Sequence, residues 1–347
     1  MRALALLGHG GIGSLAEVDL PAPRISAPDE VLIRVRTAAI NRLDLFLTEG
    51  IKGISVAFPH IVGTDGAGVV EEIGAAVSNV QAGERVTINP GISCGKCDAC
   101  LRGNEPLCRQ FSILGEHRSG TAAEFVVVPE RNVARIPGEM PWDIAAALPL
   151  STLTAWRMLT TRAGVRAGET VLIWGIGGGV ALAALAVARH WGAKVIVTSS
   201  SNAKLERARA LGADVIFNHG EMPPDEIARA ARKLTGDGVD IVVDTVGEKT
   251  WSASLRALRP GGRLVTCGAT SGPEVGLDIR RLFWFQWSIL GSTMGSHAEF
   301  AEVMVLARAG KLWPLVDSVV PLALGAKAYE RMQRGEQLGK LVLEVSK

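Results

Sequence analysis

The stretch Thr170–Ser200, TVLIWGIGGGVALAALAVARHWGAKVIVTSS, decides the fold. Val171–Ala188 runs 18 residues without a charge, the lower limit for a membrane-spanning helix. Four glycines crowd its first half, however, and Arg189 and His190 close it. A buried strand at 170–175, a glycine turn and an Ala-rich helix ending at Gly192 account for the pattern better than one long span. A second strand then follows at 194–198.

The same rhythm continues downstream. Apolar runs at 214–218 (DVIFN), 239–247 (VDIVVDTVG) and 262–269 (GRLVTCGA) are separated by helical stretches at 202–212 and 225–236. Strands alternating with helices form crossover units, so residues from about 152 predict a parallel sheet covered on both faces. A last strand, SILGSTM (288–294), precedes mixed helix and strand to the end. Residues 1–150 read differently: short alternating segments at 31–40, 66–74, 84–90 and 123–129, broken by Gly and Pro, predict an irregular β-rich domain.

Composition narrows the functional classes. The 37 basic and 35 acidic residues are spread evenly and leave a net charge of +2, which gives no electrostatic case for nucleic acid or an anionic membrane. The first ten residues carry too few apolar side chains for a secretory signal, so the expectation is a soluble, cytoplasmic protein. Four of the five cysteines sit in ISCGKCDACLRGNEPLCRQ (92–110), whereas a disulfide framework would scatter them. Cys94, Cys97, Cys100 and Cys108 therefore read as metal ligands. Four thiolates close a tetrahedral Zn2+ shell and leave no position for water or substrate, which marks a structural site. Cys267, alone in an apolar run, reads as a small buried hydrophobe.

The turn Gly175-Ile176-Gly177-Gly178-Gly179-Val180 follows a strand and opens a helix. Backbone without side chains can approach a pyrophosphate, and the helix N-terminus offers unpaired N–H groups. The alternative is a turn that merely packs a helix tightly on its strand. An NAD site places Asp or Glu at the end of the second strand to hold the ribose 2′-hydroxyl. Here Ser199 stands at that point, and Ser200 and Lys204 add a hydroxyl and a cation. A 2′-phosphate suits these groups, so NADPH is expected in preference to NADH. Capping of the next helix by Ser200–Asn202 is compatible with either outcome.

Taken together, the cysteine lobe, the glycine turn, DTVG (244–247) and GKLVL (339–343) resemble the medium-chain dehydrogenase/reductase superfamily over essentially the whole chain. The lobe's C-x2-C-x2-C-x7-C spacing is similar to that of the zinc-containing alcohol dehydrogenases, where it holds a structural zinc. The resemblance implies an α/β fold. A doubly wound Rossmann domain (152–293) would accompany a β-rich GroES-like catalytic domain (1–151 and 294–347) carrying the lobe at about 92–110. It also implies that Thr154, Asn218, Val246, Gly268, Ala269, Thr270, Ser292 and Thr293 lie around the cofactor, with Lys340 near its phosphates. The strand at 288–294 would be the edge at which subunits pair, giving a homodimer or a dimer of dimers.

At the family's catalytic-zinc positions the sequence departs from the pattern. Asn41 stands at the first cysteine, Thr64 and Asp65 at the His-Glu pair, Leu150 or Ser151 near the last ligand, and Leu43 at the hydroxyl relay; Asp44 is kept. Amide, hydroxyl, one carboxylate and alkyl groups do not make a high-affinity Zn2+ cage. The expectation is thus one structural zinc per chain and a zinc-free active site similar to that of the quinone and enone reductases. Hydride addition to an activated alkene gives a delocalised enolate, which one hydrogen-bond donor can stabilise by about 3 kcal/mol. Asn41, Asp44 and His117 are the candidate active-site residues: Asn41 as amide donor or local brace, Asp44 as an interior brace, His117 as proton donor or ordinary loop residue. An alcohol dehydrogenase with an unconventional metal site at Asp65, and an NADPH-binding protein with little turnover, stay open as alternatives.

Overall fold

The structure, a computed structural model, describes residues Met1 to Ser346. It divides into two compact units: residues 1–153 with the chain from Met294 onward, and Thr154–Thr293. Among the described residues no helix is long and apolar enough to cross a membrane.

The second unit is built on six strands, Thr170–Ile173, Lys194–Ser199, Val215–Asn218, Val239–Val243, Leu258–Thr266 and Ser288–Gly291. Counted along the chain, their order across the sheet is 3-2-1-4-5-6, and every neighbouring pair is parallel. That order reverses between the first and fourth strands, the switch point at which doubly wound sheets bind ligands. The central strands are near-continuous Val, Ile and Leu because both faces are covered: Val171, Leu172, Ile173, Ile241 and Val242 are all fully buried.

Two details differ from the sequence reading. The fifth strand starts at Leu258, which pairs with Val239; Arg259–Gly262 then bulges before Arg263 rejoins opposite Ile241. Pro260-Gly261-Gly262 looks like a turn in one dimension and is a bulge in the sheet. Cys267 lies just past that strand's end rather than inside it. Burial pushes its thiol up to about 12, so it carries no nucleophilic thiolate.

In the first unit the long strand Glu30–Ala39 is the hub. It pairs antiparallel with Asp65–Ile73, Phe125–Pro129 and Lys340–Glu344. The registers Ala39↔Asp65 and Ala39↔Val342 bring the end of the hub strand together with the first residues of two others. Continuing the second register by two residues sets Lys340 against Asn41. Three strand ends thereby converge on one buried point.

The loop 113–121 is seated directly on 62–66. A Cβ on Gly115 would meet the Gly63 carbonyl oxygen at 2.5 Å, and one on Gly120 would meet it at 2.2 Å. Thr121 donates its hydroxyl to the Asp65 carbonyl at 2.7 Å, and His60 Nε2 lies 3.2 Å from the Gly115 carbonyl. The cysteine lobe stands on a two-stranded base, Gly91–Ile92 against Ser112–Ile113, whose second strand runs into this loop.

Such close backbone approach tolerates no methyl group. Gly120→Ala should lower stability by about 1–3 kcal/mol through overpacking, read as a lower midpoint in thermal or urea unfolding. Gly138→Ala, with nothing within 4 Å of its added Cβ, should leave the midpoint unchanged; equal effects at the two positions would contradict the packing described.

Candidate active site

The convergence point of the first unit holds a fully buried polar network. Asp65 is 0% and Lys340 3% exposed, and the Lys340 ammonium lies 3.0 Å from Asp65 Oδ2. Lys340 also donates to Asn41 Oδ1. Asn41 Nδ2 donates to the same Asp65 oxygen at 3.0 Å, while Asp65 Oδ1 accepts the Leu150 N–H at 2.8 Å. Asp44 sits one layer behind. It accepts from the Asn41 N–H at 2.8 Å, the Tyr329 hydroxyl at 2.9 Å and the Thr64 hydroxyl at 3.3 Å. Burial raises its carboxyl to about 6 against those stabilising donors.

Two expected site residues fall inside this network. Lys340, expected near the cofactor phosphates, places its ammonium on Asp65 inside the first unit, because the strand register draws it there. Asn41 is not a free amide donor, since its NH2 is engaged by Asp65 and its oxygen by Lys340. Asp44 braces its loop. Ser151 donates its hydroxyl to the carbonyl of Ala147, the last residue of the preceding helix Trp142–Ala147, and Leu43 packs among Ile113, Leu150 and Met294.

His117 lies in the loop after the lobe. Its Nδ1 accepts the Ile113 N–H at 3.2 Å, which leaves the proton of the neutral ring on Nε2. Burial lowers its proton affinity, so near neutral pH the ring is uncharged and can donate a hydrogen bond but is a poor source of a proton. The neighbouring Glu116 is buried, and its Oε2 is 3.8 Å from His117 Nδ1, beyond hydrogen-bond reach.

The four cysteines meet as a cluster, with all sulfurs within 4.8 Å of one another; Cys94–Cys100 is 3.9 Å and Cys97–Cys100 3.5 Å. A tetrahedral Zn2+ with bonds of about 2.3 Å sets sulfurs about 3.8 Å apart, so this donor set fits zinc. Backbone N–H groups support thiolate charge: those of Lys96 and Cys97 pull Cys94 down to about 6, and that of Gln110 lies 3.3 Å from Cys108 Sγ. Among the described residues no other cluster of three or more His, Cys, Asp or Glu ligands forms.

In the second unit, Gly175 adopts φ +72° after the first strand, and the helix Gly179–His190 begins with Gly178 as its cap. Gly177, Gly179 and Val180 complete that turn and first helical step. A Cβ on Gly178 would meet open space, as an approaching phosphate requires. Val246 faces Gly175, its Cγ2 3.7 Å from where a Cβ would stand. The buried Asp244 gathers the N–H groups of Val246 and Gly247 and the hydroxyls of Thr250 and Ser254. That knot fixes the turn against the Gly268–Thr270 loop, whose Thr270 N–H donates to the Thr245 carbonyl at 3.3 Å. Among the described residues the hydroxyls of Thr154 and Ser292 are buried without partners; Thr293 ends the unit. These features fit a dinucleotide.

At the end of the second strand Ser199 is buried, its hydroxyl accepting the Ser201 N–H at 3.2 Å, while Ser200 is exposed. Ser201 rather than Ser200 caps the next helix, bonding the Lys204 N–H at 3.4 Å. Asn218, expected near the cofactor, donates its amide to Asn202 Oδ1 and Glu221 Oε1, both at 2.8 Å. Glu221 is a carboxylate that sequence reasoning missed, brought near the second strand's end by the Ser199↔Asn218 register. Tyr329 and Glu116 were missed as well. Nothing in one dimension links Tyr329 to Asp44, 285 residues away; Glu116 had its place beside His117 as a signal.

Comparison with known proteins agrees with both units. Residues 27–138 match the alcohol dehydrogenase GroES-like domain, and residues 179–309 match the zinc-binding dehydrogenase family. The chain is 31% identical over 342 residues to a zinc-type alcohol dehydrogenase-like protein of Schizosaccharomyces pombe, covering 96% of each. It is 34% identical over 346 residues to an L-threonine 3-dehydrogenase of Pyrococcus horikoshii, covering 96% of this chain and 95% of that one. A crystal structure of an NAD-dependent alcohol dehydrogenase matches at 42% identity with a TM-score of 0.95, over 100% of both chains. A thermostable alcohol dehydrogenase from Pyrobaculum aerophilum matches at 34% and 0.89, over 99% of both. With a GroES-like unit, a 3-2-1-4-5-6 sheet and its glycine turn, the chain belongs to the medium-chain dehydrogenase/reductase superfamily and is an NAD(P)-dependent oxidoreductase.

Proposed function

We propose that the protein transfers a hydride from NADPH to a quinone, an enone or another activated alkene or carbonyl, with zinc only in the cysteine lobe. One observation carries this reading: at the point where a catalytic metal would need ligands, an ammonium already neutralises Asp65. Both Asp65 oxygens are taken, Asn41 is engaged at both ends and the Thr64 hydroxyl is on Asp44. A metal would have to displace Lys340, stranding a buried cation at a cost of several kcal/mol. In the lobe, Cys94, Cys97, Cys100 and Cys108 would hold zinc and order the surrounding loop. Bound nicotinamide would supply the hydride; Thr154 and Ser292 offer it hydroxyls, and the 175–179 turn cradles its pyrophosphate.

A second reading, an alcohol dehydrogenase using NAD, is favoured by the names of the relatives and by Glu221 near the second strand's end, which would repel a 2′-phosphate. Against it stand the hydroxyls of Ser199 and Ser200 and the cation of Lys204. A homodimer or dimer of dimers belongs to the proposal. Ser288–Gly291 is an edge strand, and the neighbouring helix exposes Ile279, Phe283 and Trp284.

Three measurements test this. Quinones, enones, enoyl thioesters, aldehydes and alcohols should be assayed with both cofactors: NADPH consumption with a quinone or enone is expected, and absence of any turnover would reduce the protein to a cofactor binder. Metal analysis should give one zinc per chain, whose removal lowers thermal stability by several kcal/mol; two zincs with chelator-sensitive alcohol oxidation would overturn the zinc-free site. Ser199→Asp should move the NADPH/NADH preference toward NADH by about tenfold or more, and an unchanged ratio would refute the assignment of Ser199.

A further inference from the structure

The segment His219-Gly220-Glu221 leaves the third strand of the second unit's sheet and folds against the end of the second. The His219 N–H bonds the Ser199 carbonyl at 2.9 Å, and its ring Nδ1 lies 3.2 Å from the Thr198 hydroxyl. That hydroxyl belongs to a fully buried residue and also accepts the Gly175 N–H at 3.1 Å. The Ile176 N–H bonds the Thr198 carbonyl at 2.7 Å. One residue, Thr198, thus ties the His219 ring to the glycine turn. A histidine outside every sequence motif therefore stands at both parts of a dinucleotide site: the turn that takes the pyrophosphate and the strand end that meets the adenosine ribose.

The hydrogen bonds fix which ring nitrogen carries the proton. Thr198 Oγ1 accepts from Gly175, and among the described residues its own hydrogen has no acceptor other than His219 Nδ1. Nδ1 therefore accepts, and the neutral ring holds its hydrogen on Nε2. Burial lowers the ring's proton affinity, so it is uncharged near neutral pH. Nε2 makes no hydrogen bond among the described residues, and His219 is only half-buried, so this N–H stays within reach of an incoming ligand. Charged groups around it are few. The strand end at 196–199 and the turn at 175–180 carry none, and the helix Asn202–Ala210 contributes Lys204 in its first turn. Glu221, two residues on, accepts the amides of Asn202 and Asn218 at 3.3 and 2.8 Å.

We infer that His219 reads the 2′ position of the cofactor: its Nε2–H donates to the 2′-phosphate of NADPH, which makes it, with Ser199, a determinant of the preference for NADPH over NADH. This rests on the NADPH reading given above. A phosphate oxygen is a charged acceptor, and a hydrogen bond to it is roughly twice as strong as one to the neutral 2′-hydroxyl of NADH. The donor is also preorganised. Thr198 holds the ring from one side and the Ser199 carbonyl holds its backbone, so little freedom is lost when the ligand arrives. Because the same threonine hydroxyl receives the Gly175 N–H, the pyrophosphate turn and the 2′ donor belong to one hydrogen-bonded unit.

Two substitutions separate the ring nitrogens. His219→Asn sets an amide oxygen near the place of Nδ1, keeping an acceptor for Thr198 while removing the Nε2–H. His219→Gln reaches farther and returns an N–H donor near the place of Nε2. Binding should be measured by nicotinamide fluorescence on the protein without substrate, so no turnover is needed. Wild type should bind NADPH more tightly than NADH. His219→Asn should weaken NADPH by about tenfold with the NADH Kd and the unfolding midpoint unchanged, and His219→Gln should recover part of the loss. A second readout uses the wild type alone. The NMR titration of its His219 ring should move to higher pH with 2′,5′-ADP than with 5′-AMP, which lacks only the 2′-phosphate, because a neighbouring phosphate favours the charged ring. An NADPH-preferring wild type whose ratio of the two Kd values survives His219→Asn would overturn the inference and leave the NADPH reading intact. So would equal weakening of both cofactors, or identical ring titrations with the two nucleotides. A wild type that binds NADH as tightly as NADPH would overturn both.

Discussion

The buried pair of Lys340 and Asp65 is the interaction on which the rest of the first unit's interior depends. Each is the first residue of its strand, and the strands flank the same hub, so the hydrogen-bond ladders themselves bring the charges together. A buried charge left without its partner costs about 3–5 kcal/mol, which ties the register of both strands to the pair. The pair also frees the second Asp65 oxygen to receive the Leu150 N–H near the start of the helix Pro149–Trp156. Asn41 bridges the two charges and is thereby immobilised. One ion pair thus fixes two strand ends, a helix start and the loop entering the helix Arg42–Glu49.

That arrangement determines what the remaining carboxyls can do. With the Lys340 ammonium spent on Asp65, neither Asp44 nor Glu116 has a lysine or arginine in contact among the described residues, and of these two carboxyls only Asp44 accepts hydrogen bonds there. The chain's one tyrosine, fully buried, is among those donors. Burial favours the neutral acid, and hydrogen-bond donors to the carboxylate oppose that effect. Burial raises both carboxyls, Glu116 to about 7 and Asp44 only to about 6, where hydrogen bonds from elements far apart in sequence offset part of the penalty.

Much of this was legible in one dimension. Strand–turn–helix at 170–200 carries local signals of composition and period, and the sheet followed from repeating them. The four cysteines are a short-range constellation, and the sulfurs meet because the spacing leaves little else possible. The departures at Asn41, Thr64 and Leu150 were visible as residue types, and with them the thinness of any metal cage there. What filled the gap was not visible. Lys340 finds Asp65 through a ladder between segments 275 residues apart, and nothing local in GKLVL says which way its lysine turns. Likewise the residue type of Asn218 does not reveal that Glu221 and Asn202, three and sixteen residues away, accept its amide. Local motifs survive translation into sequence; pairings set by sheet register do not.

The cysteine lobe bears on the same interior through the chain that leaves it. Its base strand Ser112–Ile113 leads directly to Glu116, and the backbone of Ile113 bonds His117 twice: its N–H to Nδ1, and its carbonyl to the His117 N–H at 2.9 Å. A buried carboxyl with no partner would relax by swinging into water if its loop were free to move. Three constraints oppose that relaxation: the lobe below, Gly63 pressed against Gly115 and Gly120, and His60 on the Gly115 carbonyl. The four-sulfur lobe thus anchors one end of the segment that holds the Glu116 carboxyl in the interior.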